Sequence, residues 1–129
     1  FLTIVNFVCY MKHPSKHPQE IEVWYILPAI RKELVLALKK KYSQKEIAHM
    51  LHLTPAAVSQ YVNLKRGKEI TLPKDVIEKI GVCSKKIVDK KTAFRQIQEI
   101  SLYIKSTKAL CRIHKDVEGD LNNCDICFR

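Results

Sequence analysis

Glycine and proline are scarce, with 3 and 5 in 129 residues, and long stretches of the chain contain neither. A turn-rich β architecture needs both at its many reversals, so this scarcity predicts an all-α fold. Apolar runs are short as well. Phe1 to Tyr10 (FLTIVNFVCY) is about half of the roughly 20 residues that a helix needs to cross a bilayer, so no transmembrane helix is expected. No Lys or Arg precedes that run and no small-residue cleavage site follows it, which makes a signal peptide a poor reading and a cytoplasmic protein the expected one. Met11 comes directly after it. Residues 1–10 are therefore either an upstream extension ahead of a start at Met11, which would leave Cys9 outside the natural protein, or a short amino-terminal strand. Also missing are a nucleophile elbow, a P-loop, an HExxH motif and paired carboxylates at one site, so no enzyme is expected.

Acidic side chains are the other shortage. Lys and Arg outnumber Asp and Glu 23 to 13, for a net charge of +10. Such an excess suits a polyanionic partner such as nucleic acid or an anionic membrane surface, although a Lys-rich protein can also be merely soluble. Position along the chain has to decide. Hydrophobic residues make up 47% of the sequence, enough to build a core, and the length fits one compact domain.

Met11 to Glu20 holds two His-Pro pairs, and because a residue before proline is pushed out of the α region, residues 1–20 read as an extended arm. Ile21 to Leu27 (IEVWYIL) reads as the buried lead-in to a first helix. From Pro28, the residues Ile30, Leu34 and Leu38 recur at helical spacing, with Arg31, Lys32, Lys39 and Lys40 on the other face. Ser43-Gln44-Lys45-Glu46 is a capping box that opens a second helix, with Ile47, Ala48 and Leu51 on its apolar face. After a break at His52-Leu53, Thr54-Pro55 supplies an N-cap and a first-turn proline for a third, running through Val62 and ending near Gly67, a residue suited to a left-handed cap.

Two short helices separated by such a break are the mark of a helix-turn-helix, assigned here to residues 21–72. Ala48 is small where the helices must approach, while Leu53 and Val58 point inward. Thr54, Pro55, Ala56, Ser59 and Gln60 fall on the outward face at the start of the second helix, the end that meets base edges, and a Gln amide at position 60 can bond adenine bidentately. Lys65, Arg66 and Lys68 follow directly and suit phosphates. The run IEVWYILPAIRKELVLALKKKYSQKEIAHMLHLTPAAVSQYVNLKRG resembles archaeal transcriptional regulators that carry a phage-repressor-type helix-turn-helix and a cysteine-containing tail. The resemblance implies DNA binding. His52 departs from the glycine common in that turn, but His adopts the left-handed conformation more readily than a β-branched residue does.

Downstream, Val76, Ile80, Cys83 and Ile87 form an apolar stripe, and a final helix is expected from about Thr92 to Lys115 with Ile97, Ile100, Ile104 and Cys111 on one side. Residues 73–115 either complete the core or form a dimer interface. Residues 116–129 read as a loop-like tail. Five Cys without an export signal are better suited to metal binding or the reduced state than to disulfides. Cys111 and His114, with the Cys124–Cys127 pair beyond them, have the spacing of a Cys3His zinc tetrahedron. An iron–sulfur cluster is the alternative and would need a further thiolate such as Cys83, which alone reads as a buried residue. The resembled family often has a Cys in a Pro-Cys-Glu run where this chain reads Pro18-Gln19-Glu20, which favours His114, or His17, as the fourth ligand.

The expected function is sequence-specific regulation of transcription by a homodimer on double-stranded DNA. The alternative is a metal- or redox-sensing regulator whose tail controls DNA binding. An RNA-binding module is the weaker option, because the aromatic residues sit at core spacings rather than in a basic groove.

Overall fold

The computed structural model describes residues 16–119; Cys9 and most of the arm, like Cys124 and Cys127, lie outside them. All regular structure among the described residues is helical. The elements are α1 (Pro18–Ile21), a π-helical turn (Glu22–Ile26), α2 (Leu27–Leu38), α3 (Gln44–Met50), α4 (Pro55–Val62), α5 (Lys74–Ser84), α6 (Lys90–Ser106) and α7 (Ala109–Glu118).

A helix starts at Pro18, inside the stretch expected to be an extended arm through residue 20. Pro18 does force His17 into an extended conformation, with φ −67° and ψ 151°. That conformation is also the one an N-cap needs, and Pro18 is preorganised for the first helical position, so the pair starts a helix. The segment read as a buried lead-in is helical and only partly buried. In the π turn the Leu27 N–H reaches back to the Glu22 carbonyl, and this wider turn sets Ile21 and Ile26 on one face. Both are buried, while Val23 and Trp24 are 57% and 55% exposed.

Helix α2 is the hub. Its buried residues are Ala29, Ile30, Leu34, Val35 and Leu38, and the helix packs against both α4 and α5. A single apolar cluster joins these residues to Ile47, Val58 and Tyr61 of the α3–α4 pair and to Val76, Ile80, Ile100 and Ile113 downstream. The downstream helices thus complete the core. Burial of each such Ile or Leu contributes about 1.5–3 kcal/mol.

Local chemistry fixes the helix ends. The Glu46 N–H donates to Ser43 Oγ at 3.2 Å and the Ser43 N–H to Glu46 Oε1 at 3.0 Å, which is the expected capping box. The Ala57 N–H donates to Thr54 Oγ1 at 3.1 Å, the expected N-cap of α4. At the end of α3, His52 has φ 56° and the Leu53 N–H returns to the Ala48 carbonyl at 2.8 Å, so His52 fills the left-handed position of a Schellman turn. The same turn closes α4, but Leu64, not Gly67, fills it. Leu64 has φ 57°, and its N–H and that of Lys65 bond the carbonyls of Tyr61 and Gln60 at 3.1 and 2.8 Å.

The single helix expected from Thr92 to Lys115 is two. At its break the Tyr103 carbonyl accepts from Ser106 Oγ, Thr107 Oγ1 and the Thr107 N–H at 3.2, 2.8 and 3.2 Å. These local donors compete with helix continuation, and Lys108 then turns left-handed at φ 60°. Helix α7 continues to Glu118, so residues 116–118 belong to it rather than to a loop. Its re-aimed axis buries Leu110, Ile113 and His114 and leaves Cys111 half-buried. Asp75 ties α5 to both later helices, accepting from Tyr103 Oη at 3.0 Å and pairing with Arg112 at 3.3 Å.

Candidate nucleic-acid interface

Helix α4 divides its residues by angle. Ala57, Val58 and Tyr61 are buried, which turns Thr54, Pro55, Ala56 and Gln60 outward and exposed, with Ser59 half-buried at the margin. All five residues predicted to read bases therefore lie on the outer side of one short helix, from its N-cap Thr54 to its sixth residue Gln60. Val58 is fully buried, and Leu53 packs against the core. Ala48 is only 4% exposed, with α3 and α4 in direct contact.

Asn63 belongs to the same face and was not singled out from the sequence. It is exposed, and its Nδ2 donates to Ser59 Oγ at 3.4 Å. Helical spacing carried the signal, since Asn63 lies three and four residues beyond Gln60 and Ser59.

Lys65, Arg66 and Lys68 are exposed. The left-handed turn at Leu64 ends the helix, and these cations follow directly after its C-terminal end. Arg66 lies over the Tyr61 ring, 5.7 Å from its centroid. The ring thus steadies a guanidinium that remains open to solvent. Beyond it, Gly67 is buried with φ +78°, where a Cβ would lie 2.5 Å from the Pro28 carbonyl oxygen and 2.9 Å from Lys32 Cβ. Glycine is required here by close approach to α2, not by capping.

The predicted metal residues fall into two groups. Cys124 and Cys127 lie outside the described residues. Cys111 and His114 stand one turn apart on α7, and His114 is 4% exposed with no hydrogen-bond partner at Nε2 among the described residues. Glu118 Oε2 lies 3.3 Å from that nitrogen without hydrogen-bonding direction, while Oε1 accepts the Lys16 N–H at 2.8 Å. No cluster of three or more potential ligands occurs among the described residues. Cys83 is buried on α5, and desolvation raises its thiol pKa above the ordinary value, as suits a packing residue. Among the described residues, no helix is long and apolar enough to cross a membrane.

Comparison of the chain with protein-family models, curated proteins and solved structures finds no match.

Proposed function

We propose that the protein is a sequence-specific DNA-binding regulator of transcription in which α3 and α4 act as a helix-turn-helix and α4 enters the major groove. The observation that carries this reading is the outer face of α4, where small and hydrogen-bonding residues stand exposed with three cations directly after them. Ala56 and Pro55 allow close approach to base edges, Gln60 offers both a donor and an acceptor, and Lys65, Arg66 and Lys68 border the groove as phosphate contacts. A homodimer on a two-fold operator is part of the proposal, because a reading helix this short covers few base pairs.

Selection of bound fragments from genomic DNA tests the reading. Once a site is found, Gln60→Ala is expected to relax preference at one position and cost about 1–3 kcal/mol there. Lys65→Gln is expected to weaken all sequences alike and reduce the salt slope by about one unit. Failure to enrich any duplex would refute the proposal.

The buried Nε2 of His114, which has no hydrogen-bond partner among the described residues and lies 3.3 Å from Glu118 Oε2, favours one addition, a metal-bound tail. His114, Cys111, Cys124 and Cys127 supply a donor set suited to Zn²⁺, with an iron–sulfur cluster as the alternative. A bound Zn²⁺ would supply a structural cross-link between α7 and the chain beyond it. Metal analysis and an absorption spectrum of anaerobically purified protein decide between zinc, cluster and neither.

A further inference from the structure

The tertiary fold brings a second set of cations to the opposite end of α4. Helix α6 packs against α3, and its first residue, Lys90, lines a surface groove with Ala48, His52, Leu53 and Thr54. Thr54 is the N-cap of α4, so Lys90 stands beside the end where the base-reading residues begin. A neighbouring cleft between α3 and the start of α6 is lined by Lys45, Lys90 and Lys91 together with Tyr42 and His49. All three lysines are exposed, and none has an ion-pair partner among the described residues.

Two acids, Glu46 and Asp89, line the same cleft. Glu46 accepts the Ser43 N–H at 3.0 Å and Asp89 accepts the Thr92 N–H at 2.8 Å, so each carboxylate is directed at a helix cap. These bonds hold both carboxyl groups below their ordinary pKa values, with the Lys91 charge adding to the effect on Asp89, so the two carboxylates offset part of the charge of the three lysines and leave a net positive patch. The segment that carries the lysines is fixed in place. Ile87 is buried, its carbonyl accepts from Tyr42 Oη at 3.5 Å, and Asp89 and Thr92 cap the first turn of α6. Ordering this backbone on binding therefore costs little.

We propose that Lys45, Lys90 and Lys91 form a second phosphate-contacting rim, so that cations border the reading residues of α4 at both ends. This proposal rests on the DNA-binding reading above and extends it. An eight-residue helix spans about 12 Å at 1.5 Å per residue, close to the roughly 12 Å width of the major groove. Lys65, Arg66 and Lys68 lie beyond one end of that span, and Lys90 lies beside the other. Two phosphate strands border a groove in the same way. The partner is thus duplex nucleic acid with an open major groove, which excludes the narrow, deep groove of A-form RNA.

The test measures duplex DNA affinity against salt concentration for the full chain and three double variants. Lys90→Gln with Lys91→Gln should lower the salt slope by about two units and weaken selected and random duplexes by the same factor. Lys65→Gln with Arg66→Gln should do likewise. Lys79→Gln with Lys105→Gln removes the same net charge elsewhere, where Lys79 stacks on Tyr103 and Lys105 pairs with Glu22, and should leave the slope nearly unchanged. A normal slope for the Lys90 and Lys91 variant, with a reduced one for Lys65 and Arg66, overturns the second rim and leaves the DNA reading intact. Equal losses in all three variants reduce the effect to net charge and also overturn it. No duplex binding by the unmodified chain refutes both readings, and tighter binding to duplex RNA than to DNA refutes the proposed partner.

Discussion

Replacement of Gly67 by Ala tests whether the cations after α4 are held in place by a backbone contact that no other residue can make. Two costs add at this position. A left-handed backbone, φ +78° here, costs an L-residue about 1–2 kcal/mol. The new Cβ would also sit 2.5 Å from the Pro28 carbonyl oxygen and 2.9 Å from Lys32 Cβ, atoms near the α2 backbone that cannot rotate away, and relief of such overpacking costs about 1–3 kcal/mol. The expected loss is thus about 2–5 kcal/mol, a large share of the roughly 5–15 kcal/mol typical of a domain. At about 4 °C per kcal/mol, the melting temperature should fall by about 8–20 °C in a thermal melt followed by circular dichroism. Gly81→Ala is the internal control, since Gly81 lies within α5 and a Cβ added there would meet nothing within 4 Å. It should gain about 0.5–1 kcal/mol from helix propensity. A loss below about 1 kcal/mol for Gly67→Ala, or a comparable loss for Gly81→Ala, would refute the contact argument.

Leu64→Gly should stabilise the chain by about 1 kcal/mol in urea titration, because Leu64 is left-handed and 52% exposed and so has strain to lose and little burial; a destabilised variant would show that its side chain matters more than its backbone. Asp75→Asn tests the α5–α6–α7 clip. Burial pushes the Asp75 carboxyl up, but the Tyr103 hydroxyl and the Arg112 charge together outweigh it and hold the group below its ordinary 3.8. A depressed carboxyl stabilises the fold above its unfolded pKa and ceases to do so as pH falls through the folded value. Asp75→Asn should therefore melt earlier than the parent at neutral pH, with the gap closing below about pH 4; a gap independent of pH would refute the charge contribution.

The parts of this protein that were legible in its sequence are those made by neighbours in the chain. The Ser43–Glu46 box and the Thr54 cap each close within one helical turn, so residue identity and spacing were enough to predict them. The inward Leu53 and Val58 and the outward Thr54, Pro55, Ala56, Ser59 and Gln60 follow from helical periodicity once the ends are known. His52 could be assigned the left-handed position because the Schellman turn is a property of the chain around it. Elsewhere local chemistry admitted two outcomes. Leu64 took the left-handed position that glycine would ordinarily hold, and Gly67 was required for contact with Pro28 instead. The π turn at Glu22 to Ile26 and the break at Lys108 likewise depend on which faces the packed helices must bury.

The rims of the candidate interface divide the same way. Lys65, Arg66 and Lys68 follow α4 in the chain, and the sequence alone placed them there. Lys90 is remote in sequence from Thr54, and only the packing of α6 on α3 brings it there. Charge is readable from composition, but the surface on which it gathers is decided by long-range apolar contacts, since burial of Ile87 and Ile100 sets where the first turn of α6 comes to rest.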